Sequence, residues 1–298
     1  MSDGLITEKA LLKIGYKCNY TCSFCHAEYK KNIKEINIKA LFFKILLLKK
    51  KGVKIILLSG GESTLESHFF SVIDFIKKQG LDFGIVTNGS TISSDRFLDK
   101  LFDLGIKNIY LSIHGYGTIH DDIVGCKGSY EGVIKIIGSL KKRSFDSLFL
   151  NYVVISDNLS SIEDTLNGLL KTSYENLSIK FSLLEPSGAG NNDALFCSPK
   201  EASLNIKSAI EMFDGKGIKI YWDGFPLCLF LGDLEKRADL KTEKINYITE
   251  VYENKLYNTD YGRRSYLPEC GKCDFKDDCY GIFDEYISAY GQSDLINI

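Results

Sequence analysis

Apolar runs and helical stripes alternate along the first two thirds of the chain. Ala10 to Tyr16 is a short apolar run. Val53 to Leu58, Phe83 to Thr87, Asn108 to Ile113, Leu148 to Ile155 and Leu177 to Leu184 are further runs with strand character. Between them apolar residues recur at helical spacing, as in Phe69, Val72, Ile73 and Ile76, and again in Tyr130, Val133, Ile134 and Ile137. Gly52, Gly80 and Gly105 fall where such helices should stop. About six strand–helix units in alternation predict a parallel sheet with helices outside. In such folds chemistry gathers at the C-terminal ends of the strands. From about Trp222 both periodicities weaken, which predicts a first domain over residues 1–220 and a second over 221–298.

The chain has 298 residues, of which 44% are hydrophobic, enough for one large α/β domain and a small appendage. A formal net charge of -2 excludes a general nucleic-acid binder. No apolar run approaches the roughly 20 residues needed to span a membrane. The longest, Ala40 to Leu48, is broken by Lys44. Met1 to Gly4 lack the basic-then-apolar pattern of a signal peptide, so a cytoplasmic location is expected. Nine cysteines in such a chain point to metal ligands rather than disulfides.

Cys18, Cys22 and Cys25 stand in a C-x3-C-x2-C run directly after the first predicted strand. Three thiolates this close can hold three irons of a cubane cluster and leave the fourth iron open, whereas a structural zinc site closes every position. Further on, the strand Ile55–Leu58 leads into Ser59 and then Gly60-Gly61-Glu62. Two glycines let backbone approach a ligand closely, and the acid beside them can accept from an ammonium group.

Triplet, strand and Gly-Gly-Glu together resemble the radical S-adenosylmethionine (SAM) superfamily, and the likeness runs in order over residues 8 to 190. It implies a partial (β/α)6 TIM-like barrel. It also implies a [4Fe-4S] cluster on Cys18, Cys22 and Cys25 whose open iron is chelated by SAM. The resemblance places Gly60, Gly61 and Glu62 at the methionine amino group and Asn88 close to SAM. Ser112 falls at the ribose or carboxylate, and Asn151 is a similar candidate. Phe24 either packs near the adenine or plugs the barrel, and Asn88-Gly89 is equally a turn signal. His120 is read as a proton donor or as a loop-ordering residue, while His26 and His68 are read as structural.

A second cysteine set, Cys270, Cys273 and Cys279, has C-x2-C-x5-C spacing, and Cys228 supplies a fourth thiol. The spacing resembles a SPASM domain in its shortened, twitch-like form. It implies one auxiliary [4Fe-4S] cluster, because Phe283 stands where the longer pattern would continue. A four-thiolate zinc site is the alternative. Cys126 and Cys197 remain, and either could replace Cys228.

The resemblance implies reductive cleavage of SAM to a 5'-deoxyadenosyl radical and hydrogen abstraction from a substrate, fed by a donor such as flavodoxin or ferredoxin. The expected reaction is oxidative modification of a ribosomally made peptide. The first strand begins about ten residues from Met1, so no leader-binding domain is expected before it. The alternatives are a dehydrogenase or cyclase acting on a sugar or nucleotide, and a non-enzymatic iron–sulfur carrier or sensor. GTP cyclases share the triplet, but the ending Leu295-Ile296-Asn297-Ile298 and the C-terminal cysteine spacing differ from theirs.

Overall fold

The computed structural model describes residues 9–30, 36–175, 177–238, 245–251 and 264–291; the first eight residues and the ending Leu295 to Ile298 lie outside them. Strands β1 (Lys9–Gly15), β2 (Ile55–Gly60), β3 (Asp82–Thr87), β4 (Asn108–Ser112), β5 (Ser147–Val154) and β6 (Leu177–Leu183) are the six read from the alternation. They are joined by helices α1 (Ile38–Lys50), α2 (Phe69–Lys78), α3 (Asp95–Asp103), α4 (Thr118–Val124), α5 (Ser129–Leu140) and α6 (Ile162–Lys171). The sheet then continues past the sixth strand. Helix α7 (Pro199–Phe213) leads into β7 (Ile218–Asp223), and β8 (Ile245–Thr249) joins the opposite edge. The strand order is β7-β6-β5-β4-β3-β2-β1-β8, all neighbours parallel. This parallel α/β sheet matches a partial TIM barrel, with two strands beyond the six expected.

The two faces of the sheet differ in kind. Ala10, Leu12, Ile14, Ile56, Leu58, Leu111, Leu150, Ile179 and Ile220 pack with the helices in the main core. The alternate residues face the concave side, as period-two side-chain direction requires. There Ile55, Leu57, Tyr110 and Phe149 form a small apolar floor, with Leu11, Val86, Tyr221 and Ile245 against it. Toward the C-terminal ends the concave face turns polar. Ser112 pairs in register with Asn151, Asn151 with Lys180, and Lys180 with Tyr221, so these side chains share one row.

The helix ends follow local chemistry. The Asn37 side chain accepts from the backbone N–H groups of Lys39 and Ala40 and caps α1. Ser198 does the same for α7 through Glu201, with Pro199 in the first turn. Beyond β8, the fully buried Lys44 of α1 donates to the carbonyls of Glu250 and Val251 at 2.6 and 2.9 Å, so a helix residue ties down the strand's exit.

The C-terminal residues form a short antiparallel pair, β9 (Arg264–Ser265) and β10 (Ile282–Phe283), followed by helix α8 (Asp284–Tyr290). They are tied to the ends of β6 and β7. The Arg264 guanidinium donates to the Gly224 carbonyl at 2.7 Å, and Tyr286 donates to the Leu184 carbonyl at 3.2 Å. Among the described residues no helix is long and apolar enough to cross a membrane.

Candidate functional site

The cysteine triplet occupies the loop that leaves β1, and that loop is held from three sides. Thr21 and Ser23 donate their backbone N–H groups to Val124 and Ile123 at the end of α4, at 3.0 and 2.9 Å. Ala189, after β6, donates to the Cys25 carbonyl at 3.0 Å. Gly61 N–H donates to Gly15, and Glu62 N–H donates to Lys17 at 2.7 Å. Gly60 and Gly61 lie so close to Gly15, Tyr16 and Lys17 that a Cβ on either would collide with their backbone. In this fold the glycine pair lets the end of β2 press against the entry of the cysteine loop. Cys18, Cys22 and Cys25 are all partly exposed. The Asn88 amide lies 3.9 Å from the Cys18 sulfur and donates to the Asn19 side chain at 3.0 Å.

Glu62 is buried, 1% exposed, and its carboxylate is already engaged. One oxygen accepts from the Thr64 hydroxyl at 2.6 Å and from the Thr64 N–H at 3.3 Å. The other accepts from the Asn88 N–H at 2.7 Å, and the Thr87 hydroxyl reaches both oxygens at 2.9 and 3.0 Å. Burial pushes the Glu62 carboxyl above its ordinary range, against the hydrogen bonds of Thr64, Asn88 and Thr87, which pull it down. Glu62 therefore couples the ends of β2 and β3 under the cysteine loop.

Phe24 meets the edge of His114, which follows β4, with ring centroids 4.8 Å apart. His114 Nδ1 accepts from Val153 N–H at 3.2 Å, and the His114 N–H donates to His120 Nδ1 at 2.9 Å. Burial lowers both imidazoles, His120 to about 4, so they are neutral at physiological pH. His120, on α4, is thus tied to His114, just after β4. On the concave face the buried Oδ1 of Asn151 has no protein partner. An orphaned acceptor beside Ser112 fits a polar ligand lying across β4 and β5. The donor set of three partly exposed thiols after β1 fits a cluster that keeps one iron open.

Cys228, Cys270, Cys273 and Cys279 line one cavity, with Pro226, Tyr266 and Phe275 among its walls. The Gly281 N–H points at the Cys279 sulfur at 3.4 Å. Cys197 does not line this cavity; it is buried, 4% exposed, and burial pushes its thiol up to about 12. Cys126 hydrogen-bonds Tyr20 inside the first cysteine loop. Among the described residues no three Cys, His, Asp or Glu side chains converge as the ligands of a single metal ion.

The sequence reading had no role for several charged residues of the concave face. Glu250, after β8, accepts from Lys13 and from the Tyr16 hydroxyl, and from Lys30 at 3.1 Å. Burial opposes its charge, but these donors outweigh it and pull its carboxyl down to about 2. Lys180 on β6 and Asp223 at the end of β7 form an ion pair at 3.5 Å. A usable signal was present: Leu177, Ile179, Phe181 and Leu183 alternate with Ser178, Lys180 and Ser182, which places a lysine on the face opposite the core.

Residues 12–169 match the sequence profile described as the Radical SAM superfamily. The chain is 33% identical over 325 aligned positions to the tungsten-containing aldehyde ferredoxin oxidoreductase cofactor-modifying protein of Pyrococcus furiosus, covering 94% of this chain and 91% of that protein. It is 27% identical over 194 residues to a probable GTP 3',8-cyclase of Sulfurisphaera tokodaii, covering 63% of this chain and only 60% of the cyclase's length. In fold it is similar to native anSMEcpe with bound AdoMet and Cp18Cys peptide, with a TM-score of 0.67 at 16% identity over 97% of this chain and 92% of that one.

Proposed function

The chain belongs to the radical SAM superfamily, and from that premise we propose that it is an enzyme that cleaves SAM and oxidatively modifies a ribosomally made peptide. With a reduced [4Fe-4S] cluster and SAM bound, the family's chemistry is reductive cleavage of SAM followed by hydrogen-atom abstraction from substrate. The observation that carries the proposal is the loop of Cys18, Cys22 and Cys25, fastened to α4, to the Gly-Gly-Glu segment after β2 and to Ala189 after β6.

The chain's own residues bind and shape. The three thiolates hold the cluster. Gly60 and Gly61 set the backbone that receives the methionine amino group, and Glu62 serves that site by fixing Thr64, Thr87 and Asn88. Ser112 and Asn151 contact the polar end of SAM, and Phe24, backed by His114, walls off the adenine side. Cys228, Cys270, Cys273 and Cys279 hold one auxiliary [4Fe-4S] cluster in a twitch-like module within residues 221–298, a range that also contributes β8 to the main sheet. Four thiols lining one cavity match the complete ligand set of a [4Fe-4S] cubane. Its position after the ends of β6 and β7, where Gly224 and Leu184 receive Arg264 and Tyr286, suits an electron acceptor beside substrate. A flavodoxin or ferredoxin supplies the reducing electron.

The peptide reading is supported by the fold shared with anSMEcpe, whose structure holds AdoMet together with a peptide. A second reading, a small-molecule substrate, is favoured by the Pyrococcus furiosus and Sulfurisphaera tokodaii relatives. Mass spectrometry separates them. Reduced enzyme and SAM are incubated with short peptides encoded beside the gene and, separately, with GTP. Loss of two hydrogens from a peptide supports the first reading. Turnover of GTP with no peptide product overturns it.

A further inference from the structure

We propose that Lys180 and Asp223 read the substrate in the barrel, and that what they read is a dipolar, uncharged group: the amide of a peptide. The inference rests on the peptide reading above and extends it to named contacts. Both side chains lie on the concave face. Lys180 stands in register between Asn151 and Tyr221, and Asp223 lies in register with Ser182 one step closer to the strand ends. Among the described residues the hydrogen-bonding partner of each side chain is the other, at 3.5 Å. Each side chain is about a quarter exposed, 22% and 25%.

Among the described residues the pair keeps spare hydrogen-bonding capacity that the carboxylates of Glu250 and Glu62 lack. Glu250 accepts from Lys13, Tyr16 and Lys30, and Glu62 is filled by Thr64, Thr87 and Asn88. Lys180 has three N–H donors and uses one. Asp223 offers two oxygens and accepts one bond. A peptide group presents a carbonyl and an N–H in the complementary sense, so its oxygen suits the free donors of Lys180 and its N–H suits the free oxygen of Asp223.

Charge balance selects against a polyanion. Lys13 and Lys30 pair with Glu250 and, together with Glu185, act on His26, while Lys180 pairs with Asp223. Among the described residues each of these lysines stands beside a carboxylate, so a triphosphate, whose buried charges would need partners, would compete with Glu250 and Asp223 for them. A neutral amide needs none.

The test uses the reconstituted holoenzyme with SAM and two probes: an equimolar pool of capped tripeptides, and GTP. Equilibrium dialysis with mass spectrometric readout reports which is retained. The parent should retain a subset of peptides. Lys180→Met and Asp223→Asn should each weaken their retention at least tenfold, with SAM affinity within twofold of the parent. The double exchange of Lys180→Asp with Asp223→Lys restores an ion pair with reversed polarity. It should fold and bind SAM yet fail to regain the peptides, whereas a purely structural pair would be rescued. Peptide retention equal in parent and variants overturns the role of the pair and leaves the peptide reading standing. Retention of GTP alone, or of neither probe, overturns both.

Discussion

Replacing Glu62 with Ala removes one carboxylate and leaves four donors facing a void. Two are backbone N–H groups, of Asn88 at 2.7 Å and Thr64 at 3.3 Å, and two are the hydroxyls of Thr64 and Thr87. The hydroxyls can turn elsewhere; Thr64 already lies 2.8 Å from the Thr91 oxygen. The two N–H groups cannot turn. Each buried donor left unsatisfied costs about 1–3 kcal/mol. Against this, Ala also removes the cost of burying the charge, which is visible as the raised carboxyl pKa. The net expectation is a loss of about 2–4 kcal/mol, a large part of the roughly 5–15 kcal/mol that stabilises a typical protein. Glu62→Gln keeps the shape and one acceptor, so it should lose less at neutral pH. The assay is urea unfolding of the anaerobically loaded protein, read by the shift in midpoint at constant slope, paired with equilibrium binding of SAM. Glu62→Ala should lower stability and SAM affinity together. A variant within about 0.5 kcal/mol of the parent, the range of an ordinary surface change, would refute the claim that Glu62 fixes the β2 and β3 ends.

Fully loaded protein should carry about eight irons, four per cubane, and exchanging Cys228, Cys270, Cys273 and Cys279 together for Ser should leave about half. Zinc at these thiols in metal analysis would contradict the auxiliary cluster. Glu250 has a carboxyl lowered from 4.5 to about 2, so its stabilisation is full above pH 4.5 and is lost as pH falls toward 2. Glu250→Gln should therefore be less stable than the parent at pH 7, and the gap should close below pH 4.5 in denaturant midpoints. A gap that is constant with pH would show that Lys13, Tyr16 and Lys30 do not hold an ionised partner.

The cysteine triplet, Gly-Gly-Glu and six of the strands were legible because each depends on residues close together in sequence. Period-two runs and the glycines that end helices are local signals. What escaped was long-range. The donors of Glu62 at Thr87 and Asn88 lie some 25 residues away, and those of Glu250 lie on β1 and in the loop after it. Nothing in a local pattern announces either. Strand β7 reads Ile218, Ile220 and Trp222 against Lys219, Tyr221 and Asp223. That alternation is local, but it runs into the stretch from Trp222 where both periodicities weaken. Strand β8 is five residues long and acquires its register from β1. The sequence leaves Cys228, Cys126 and Cys197 as rival fourth thiols, and Cys228 and Cys197 show how the rivalry resolves. Only folding distinguishes them, since one faces the shared cavity and the other is sealed in the core.

The most direct test of the account is SAM cleavage. Anaerobically reconstituted protein, reduced with dithionite and given SAM, should release 5'-deoxyadenosine, measured by liquid chromatography. The variant with Cys18, Cys22 and Cys25 all replaced by Ala should release none while keeping the iron held by the C-terminal thiols. Undiminished 5'-deoxyadenosine from that variant, or none from the parent carrying a full complement of iron, would contradict it.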